Sequence, residues 1–483
     1  METNKFVDNP VNGAEERLKQ LGYKQELQRG LSTPMNVVMG LANVSPVMAA
    51  FTYALAAFAV VGTATAGGTL LQCINVFCIG MILAELGSIY PVSGGLYSIT
   101  SYVLPKPLVF LGVFNFMIQA FIYIPAIALG VGQYLQILFP QLPQGSLACS
   151  VISALSLIAA LLIGLNSIVT NSRVTVVFLI IQMIIVFVFL YICFANPQRA
   201  LSEVLFHPQV LNAEGTALEP ANFASVLMGL GIMCAAIDGY GASLGFSEET
   251  KGSCRNVGKA VFATAFLTLF FVGLTDIISM VSAPDLLSFL QADSPLLYVI
   301  NSYMGPIGTT MMNIGIIIAS FGCNCVLISY MGRVLWTGGR DRLWPDKINN
   351  ALMKVSGKSQ VPYVALIIIA VVDCVLVFAS DIVTMITFGG MSAALVYMLI
   401  AIGSIRHRIK EKDCTRPIKM PLFPIPPILV ICFLCVAIGS QTPQDLMIVG
   451  CIVAAAMLYY LLYYRPREKR EEAAAAKEVN GNE

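Results

Sequence analysis

The sequence predicts an all-α integral membrane protein with twelve transmembrane helices, and three observations lead to this fold class. Of its 483 residues, 57% are hydrophobic and only 11% are charged, with a mean hydropathy of +0.79. This composition is too apolar for a soluble domain. The apolar residues form twelve runs, each near or above the roughly 20 residues that cross a bilayer. The runs are 33–61, 68–89, 108–139, 147–166, 172–195, 222–248, 258–283, 303–335, 361–379, 382–405, 423–441 and 444–464.

The third observation is the distribution of basic residues between the spans. With the N-terminus inside, all but Arg199 of the 28 Lys and Arg residues fall on one side, which predicts cytoplasmic termini and a multi-pass protein of the cell membrane. The net charge of +1 gives no indication of nucleic-acid binding, and the 13 cysteines lack zinc or redox spacing. We therefore expect no metal, no cofactor and no nucleic-acid partner.

A faint internal repeat organises the spans. Residues 39–42 in the first span read Met-Gly-Leu-Ala, and residues 228–231 in the sixth read Met-Gly-Leu-Gly. Five spans separate the two copies, an odd number, so the second copy is inverted, which is a carrier architecture. The predicted segments are an N-terminal cytoplasmic segment, two inverted repeats, a loop with the last two spans, and a cytoplasmic tail, at 1–31, 32–196, 221–407, 408–465 and 466–483. Within the first segment, 14–29 reads as a short charged helix on the inner surface, and its simplest interpretation is a solvated helix without a specific role.

The first span is predicted to break before Pro46, which cannot continue a helix but is suited to begin one. The new half-helix would present its N-terminal amides to an anion. The alternative is an ordinary proline kink. The candidate substrate-binding residues of this break are Ala42, Asn43, Val44 and Ser45.

The sixth span is predicted to break at two glycines and an acid. Freed backbone groups are costly in hydrocarbon unless they line a cavity, as they do in carrier sites. Asp238 is the candidate ligand for a cation; alternatively, it only binds the freed backbone amides. The candidate residues of this break are Ile237, Asp238, Gly239, Tyr240 and Gly241.

Polar side chains on two other spans are further candidates. Asn115, Gln119 and Tyr123 share one face of the third span. A similar stripe on the eighth span consists of Thr309, Asn313, Ser320 and Asn324. Such stripes either line a water-filled path or join helices. We take Asn115, Gln119 and Asn324 as candidate substrate-binding residues.

Charged residues elsewhere suggest a gate and two structural acids. Five lie at inner helix ends and could form a network that closes the cytoplasmic path, although they could equally be interfacial anchors: Glu85, Arg173, Glu248, Glu249 and Arg333. Asp276 is expected to be solvated near the outer end of its span, and Asp373 to be a protonated structural acid. Both histidines, His207 and His407, are expected in loops.

The end of the second span reads ELGSIYPVSGGLY over residues 85–97, and this string resembles the second-helix signature of the amino acid–polyamine–organocation superfamily. Three further stretches agree with the family pattern in order: 239–251, 339–345 and 416–421. The resemblance implies a LeuT-like fold of 5+5 inverted repeats, with alternating access around breaks in helices one and six and an aromatic gate at Tyr240. The string GLANVSP in helix one resembles polyamine-type members. Gln182 stands where some members place a lysine in the role of a sodium ion, and we count it among the coupling residues.

These observations favour a secondary transporter of a small amine or amino acid, with a cationic polyamine or biogenic amine as the favoured substrate. A neutral amino acid permease is the alternative, and a non-transporting solute sensor is the alternative from another class. No cluster of catalytic residues indicates an enzyme. No nucleotide-binding loop is present, so a co-transported proton, another ion or exchange would supply the energy. Membrane lipid is an expected partner, and the chain is expected to be a monomer or a dimer.

Overall fold

The computed structural model describes residues 13–379, 382–441 and 443–480, and most of these residues are helical. Parts of the predicted N-terminal segment (1–12) and tail (481–483) lie outside the described residues. Among the described residues, eight helical stretches are long and apolar enough to cross a bilayer, and three shorter apolar helices accompany them. The prediction of a helical, multi-pass membrane protein is confirmed to this extent. One of the eight, Thr33–Ile89, joins the first two predicted spans through a short turn at Gly62–Ala64.

Within the described residues, the first half of the chain forms ten α-helices. Proline begins or interrupts several of them, because it lacks an N–H and has a fixed φ angle. Between α3 and α4 the chain forms a π turn at Ala49–Tyr53. The bounds are α1 Ala14–Gln20, α2 Thr33–Val44, α3 Pro46–Met48, α4 Ala54–Val61, α5 Thr65–Ile89, α6 Gly95–Val103, α7 Lys106–Leu138, α8 Ser146–Gly164, α9 Ile168–Ala195 and α10 Leu201–Phe206.

The second half follows an antiparallel hairpin of β1 (Gln209–Leu211) and β2 (Leu218–Pro220). The longest helix, α15, contains a non-helical residue, Gly305 with φ 66°, just before Pro306, so the predicted span begins there. The bounds are α11 Phe223–Ala236, α12 Ala242–Gly245, α13 Cys254–Ser282, α14 Leu286–Gln291, α15 Pro295–Arg340, α16 Asp346–Leu352, α17 Tyr363–Leu376, α18 Ile382–Lys410, α19 Ile425–Gly439, α20 Pro443–Tyr459 and α21 Arg465–Asn480.

The N-terminal segment is bound to the helix bundle, and the expectation of a solvated helix over 14–29 is wrong. Helix α1 ends at Gln20 because Gly22, with φ 85°, leaves the helical region. Leu18 and Leu31 are fully buried. The backbone N–H of Leu31 donates to Glu249 O at 2.9 Å, and Lys251 N–H donates back to Leu31 O at 2.8 Å. The segment therefore runs across the end of the sixth span.

Small residues set the spacing at the centre of the bundle, where α5 packs against α11 and α13. A Cβ added at Gly68 would lie 2.6 Å from the backbone carbon of Gly229 and 2.7 Å from Leu230 N. Small residues allow membrane helices to approach this closely. The position of the broken α11 therefore depends on a residue of α5.

We predict that Gly68→Ala lowers the thermal unfolding temperature of the purified protein. The added methyl group meets backbone rather than a movable side chain, and overpacking of this kind costs about 1–3 kcal/mol. Gly450→Ala is the matched control, because no atom lies within 4 Å of the added Cβ. Equal unfolding temperatures for the two variants would contradict the prediction.

Candidate functional site

The first predicted break is an interruption of the helix rather than a kink. Ser45 adopts φ 51° and ψ 82°, a left-handed conformation that is uncommon for residues other than glycine. Its N–H caps α2 by donating to Leu41 O at 3.0 Å, and Pro46 begins α3. The Ser45 hydroxyl donates to Gln182 Oε1 at 3.0 Å. Gln182, the expected coupling residue, therefore contacts the break itself.

The second break lies opposite the first. Helix α11 ends at Ala236, and Gly239 has φ 93°, which disfavours a side chain there. The Asn43 side-chain Nδ2 donates to Gly239 O at 3.0 Å, so a side chain of the first break satisfies a carbonyl of the second. These two predicted sets of residues are thus brought together.

Asp238 belongs to the second break. Its Oδ1 accepts from Gly239 N at 2.6 Å and from the Tyr397 hydroxyl at 2.7 Å. It lines two small cavities of about 30 and 20 Å³. Each cavity has room for one or two water molecules. Asp238 thus binds a freed backbone amide, as the alternative interpretation held, and it also faces the cavities.

The tyrosines at the site are arranged differently from the expectation. Tyr240 is fully buried and does not line either cavity. It stacks on Tyr397 with ring centroids 5.4 Å apart. Tyr397 lines the second cavity, and the sequence analysis missed it. The sequence feature that could have identified Tyr397 is that a tyrosine lies within the apolar tenth predicted span.

Three hydrogen-bond donors and one acceptor, Asn43 Oδ1, lie beside the cavities without a hydrogen-bond partner among the described residues. The donors are the amide nitrogen Nε2 of Gln119 and the hydroxyl groups of Tyr123 and Tyr53. Tyr53 lines the first cavity, Gln119 the second, and Tyr123 both. Each of these three groups can donate to an acceptor. The cavities therefore have a carboxylate and, among their lining residues, three unpartnered donors.

The remaining candidates divide between lining and packing positions. Val44 lines the first cavity and Gly241 the second, whereas Ala42 and Ile237 are buried without lining either. Asn115 accepts from Ser392 Oγ at 3.3 Å, which joins α7 to α18. In the amide orientation that satisfies both of its hydrogen-bonding neighbours, Asn324 Nδ2 donates to Ile124 O at 3.3 Å. These two asparagines join helices.

The charged residues expected to form the gate lie in three separate clusters rather than in one network. Glu249 accepts from Arg333 Nε at 2.5 Å and Nη2 at 2.8 Å, and both side chains are at most 1% exposed. Glu248 pairs with Arg340 at 3.0 Å and accepts from Ser93 N at 2.8 Å. Arg340, in the stretch 339–345 that carried the resemblance, was not a candidate.

Glu85 lies in the third cluster, where it pairs with Arg408 and, at 3.3 Å, with Arg416. Arg173 is exposed and forms no ion pair within the described part of the chain. His407 is buried in α18, not in a loop as expected, and its Nε2 lies 2.9 Å from the Tyr90 hydroxyl. Arg173, although predicted to belong to the network, is therefore in none of the three clusters.

Asp341, directly after α15, connects the N-terminal segment to this face. It accepts from the Tyr97 hydroxyl at 2.5 Å and the Tyr23 hydroxyl at 2.9 Å. Burial raises the pKa of the Asp341 carboxyl, while the Arg340 guanidinium and the two tyrosine hydroxyls act to lower it. Arg340 also lies 4.1 Å from the Tyr23 ring centroid. Tyr23 therefore contacts both Asp341 and Arg340.

Two other membrane acids lie apart from the cavities. The expectation that Asp276 is solvated is wrong, because it is fully buried. Asp373 is also fully buried, and neither carboxyl group has a hydrogen-bond partner among the described residues. An isolated buried carboxyl group favours its neutral form. Neither acid lines the two cavities.

Comparison with known proteins decides the family. The model of the amino acid permease family matches residues 35–460, which is most of the chain. The chain belongs to the amino acid permease family. This places it in the amino acid–polyamine–organocation superfamily, as the motifs predicted, and makes it a transporter rather than an enzyme.

Individual relatives carry related names. A branched-chain amino acid permease of Bacillus subtilis is 23% identical over 372 residues, covering 72% of this chain and 75% of the relative. An amino-acid permease of Arabidopsis thaliana is 38% identical over 88 residues, 18% of this chain and 17% of the relative. A b(0,+)-type amino acid transporter of Mus musculus is 33% identical over 107 residues, 22% and 21% of the two chains. These matches support a permease that transports amino acids.

We predict that Arg333→Met lowers the free energy of unfolding by about 3–5 kcal/mol, because it leaves the Glu249 carboxylate buried without its partner. Adding Glu249→Gln should restore part of the loss, since the unpaired charge is then removed. Thermal unfolding in detergent measures both. Lys19→Ala is the control: its pair with Glu15 is 66% and 51% exposed, and such pairs contribute little. Additive effects of the two substitutions would contradict the coupling.

Proposed function

We propose that this permease is a secondary active transporter that moves its substrate by alternating access around the breaks after Val44 and Ala236. In this proposal twelve spans form a LeuT-like arrangement in the cell membrane. Segments 32–196 and 221–407 are inverted repeats, 408–465 adds two spans, and 1–31 and 466–483 are cytoplasmic. The contact of the Asn43 amide with Gly239 O supports this arrangement, because it joins the first helix of each repeat.

We propose an amino acid as the substrate, and one observation carries this choice. The Asp238 carboxylate and the unpartnered donors of Gln119, Tyr123 and Tyr53 line the same pair of cavities. A zwitterion needs an acceptor for its ammonium group and donors for its carboxylate. The names of the relatives support the same class.

An apolar side chain fits the rest of the lining. Val44, Ile127 and Leu327 line the first cavity. Ligand sites are commonly apolar with few polar groups that fix orientation. The present cavities are far smaller than an amino acid, so binding requires the half-helices or Tyr397 to move. A neutral, aliphatic amino acid is therefore the first substrate to test.

A cationic polyamine or biogenic amine is the second candidate. Asp238 is the only charged residue among the described residues that line the two cavities, and no basic group accompanies it. A site with a single carboxylate would favour a net cation. Transport experiments can separate this candidate from an amino acid.

The inner clusters are proposed to hold the cytoplasmic path closed. The pairs Glu249–Arg333 and Glu248–Arg340 join the end of the sixth span to α15. Both pairs must separate or move together when this side opens. Gln182 is neutral and bonds Ser45, so we propose that coupling to a proton, another ion or a second substrate does not use a lysine at that position.

We predict that proteoliposomes containing the protein exchange labelled leucine or alanine, and that Asp238→Asn reduces this exchange at least tenfold. The substitution removes the charge that would hold the ammonium group, and a hydrogen bond to a charged group contributes about 1.5–3 kcal/mol. Asp373→Asn is the control, because this buried acid does not line the cavities. Exchange of putrescine but not of either amino acid would favour the second candidate. Binding without any exchange would indicate a sensor.

We also predict that Tyr397→Phe raises the substrate concentration for half-maximal exchange about tenfold, whereas Tyr240→Phe changes it little. The two rings stack, but the Tyr397 hydroxyl donates to Asp238 and the Tyr240 hydroxyl has no partner among the described residues. Loss of one hydrogen bond to a carboxylate accounts for the difference. Equal effects of the two substitutions would show that ring packing, not the hydroxyl, matters.

A further inference from the structure

An apolar groove of about 310 Å³ lies on the outside of the bundle, away from the breaks. It lies between α7, α15, α17 and the short helix α16. Its lining carries no charged residue and includes Phe114, Met117, Phe121, Leu335, Trp344 and Ile368. Ile348 and Ile368 are 48% and 37% exposed, so the groove opens toward the bilayer. Its volume is at the lower end of the range of ligand pockets.

The wall of the groove is held in place by polar contacts on its far side. Trp344 N donates to Asn349 Oδ1 at 3.1 Å, and Asn349 Nδ2 donates back to Trp344 O. Arg467 Nη1 donates to the same carbonyl at 3.0 Å. The Phe114 and Trp344 rings lie 6.1 Å apart. These contacts fix Trp344, so the groove keeps its shape.

Two basic residues lie on or just after α16, the short helix that forms one wall of the groove. Lys347 lies on α16 beside Ile348, and Lys354 follows the end of that helix. Both are exposed, and neither forms an ion pair within the described residues. Arg467 pairs with both Asp346, at 2.6 Å, and Glu471, at 2.8 Å, so these three groups together carry one negative charge. The two lysines exceed it, and this end of the groove, its basic rim, carries a net positive charge.

We propose that this groove binds one acyl chain of an anionic phospholipid, with the lipid phosphate near Lys347 and Lys354. The apolar lining matches the chain, which is already in hydrocarbon and gains van der Waals contacts in the groove. The basic rim matches an anionic headgroup in the leaflet that faces the basic loops. The acyl chain of a zwitterionic lipid also fits the apolar lining, but its headgroup has no net negative charge to bind the basic rim. The site is independent of the substrate cavities and of the transported solute.

Brominated lipids test this proposal, because bromine quenches tryptophan fluorescence at short range and the chain has only 2 tryptophans. Trp336 is fully buried in the bundle, so the difference between wild type and Trp344→Phe reports Trp344. We expect brominated phosphatidylglycerol to quench Trp344 more strongly than brominated phosphatidylcholine at equal mole fraction. The preference should fall about fivefold for each of Lys347→Gln and Lys354→Gln.

Two controls separate the groove from the general lipid annulus. Lys419→Gln removes an exposed lysine from another basic loop and should leave the preference unchanged. Ile368→Phe fills the groove and should reduce quenching by both lipids. Equal quenching by the two lipids in the wild type would overturn the proposal, and so would a preference that survives the double variant Lys347→Gln and Lys354→Gln. Unchanged quenching in Ile368→Phe would exclude the groove as the chain site.

Discussion

The hydrogen bond from Asn43 to Gly239 O is the contact on which the centre of the molecule depends. Within a bilayer, backbone groups freed from a helix have no water to bind and must find partners inside the protein. Here each break supplies partners for the other or for itself: Asn43 binds a carbonyl of the second break, and Asp238 binds the adjacent Gly239 N–H. The second interruption is therefore stabilised in part by the first. Their common partners bring the candidate ligands within one small region.

The same dependence explains why the face around Glu248 and Glu249 is rich in buried charge. Helix α12 has only four residues, and the chain after it is irregular. The side chains of Glu248 and Glu249 tie this short piece to α15 through Arg340 and Arg333. Buried pairs of this kind contribute less to stability than to a specific geometry, since desolvation offsets much of their attraction. Such contacts suit a surface that has two alternative positions.

The helical membrane-protein class and both breaks could be predicted because their signals are local. Apolar runs, the side on which basic residues lie, and the conformational demands of proline and glycine need no knowledge of neighbouring helices. The composition of the site could be predicted only in part. Tyr397 and Arg340 approach Asp238 and Glu248 from distant parts of the chain.

The sequence also could not predict which neighbouring helix each polar helix face contacts. The periodicity of a helix tells which residues share a face but not which neighbour that face meets. Asn115 and Asn324 were therefore indistinguishable from Gln119 until the packing was known. Asp276 was placed by its distance from the end of its span, yet burial depends on the surrounding helices, which enclose it completely.

The pairing of the N-terminal segment with the end of the sixth span has a mechanical consequence. Leu31 exchanges backbone hydrogen bonds with Glu249 and Lys251, and the Gln25 side chain donates to Glu248 O at 3.1 Å. The same segment leads directly into α2. The segment that ends at Leu31 is thus hydrogen-bonded to the end of the sixth span and is covalently continuous with α2, the first half of the other interrupted helix. If α2 moves relative to the end of the sixth span, these hydrogen bonds must break or the two segments must move together.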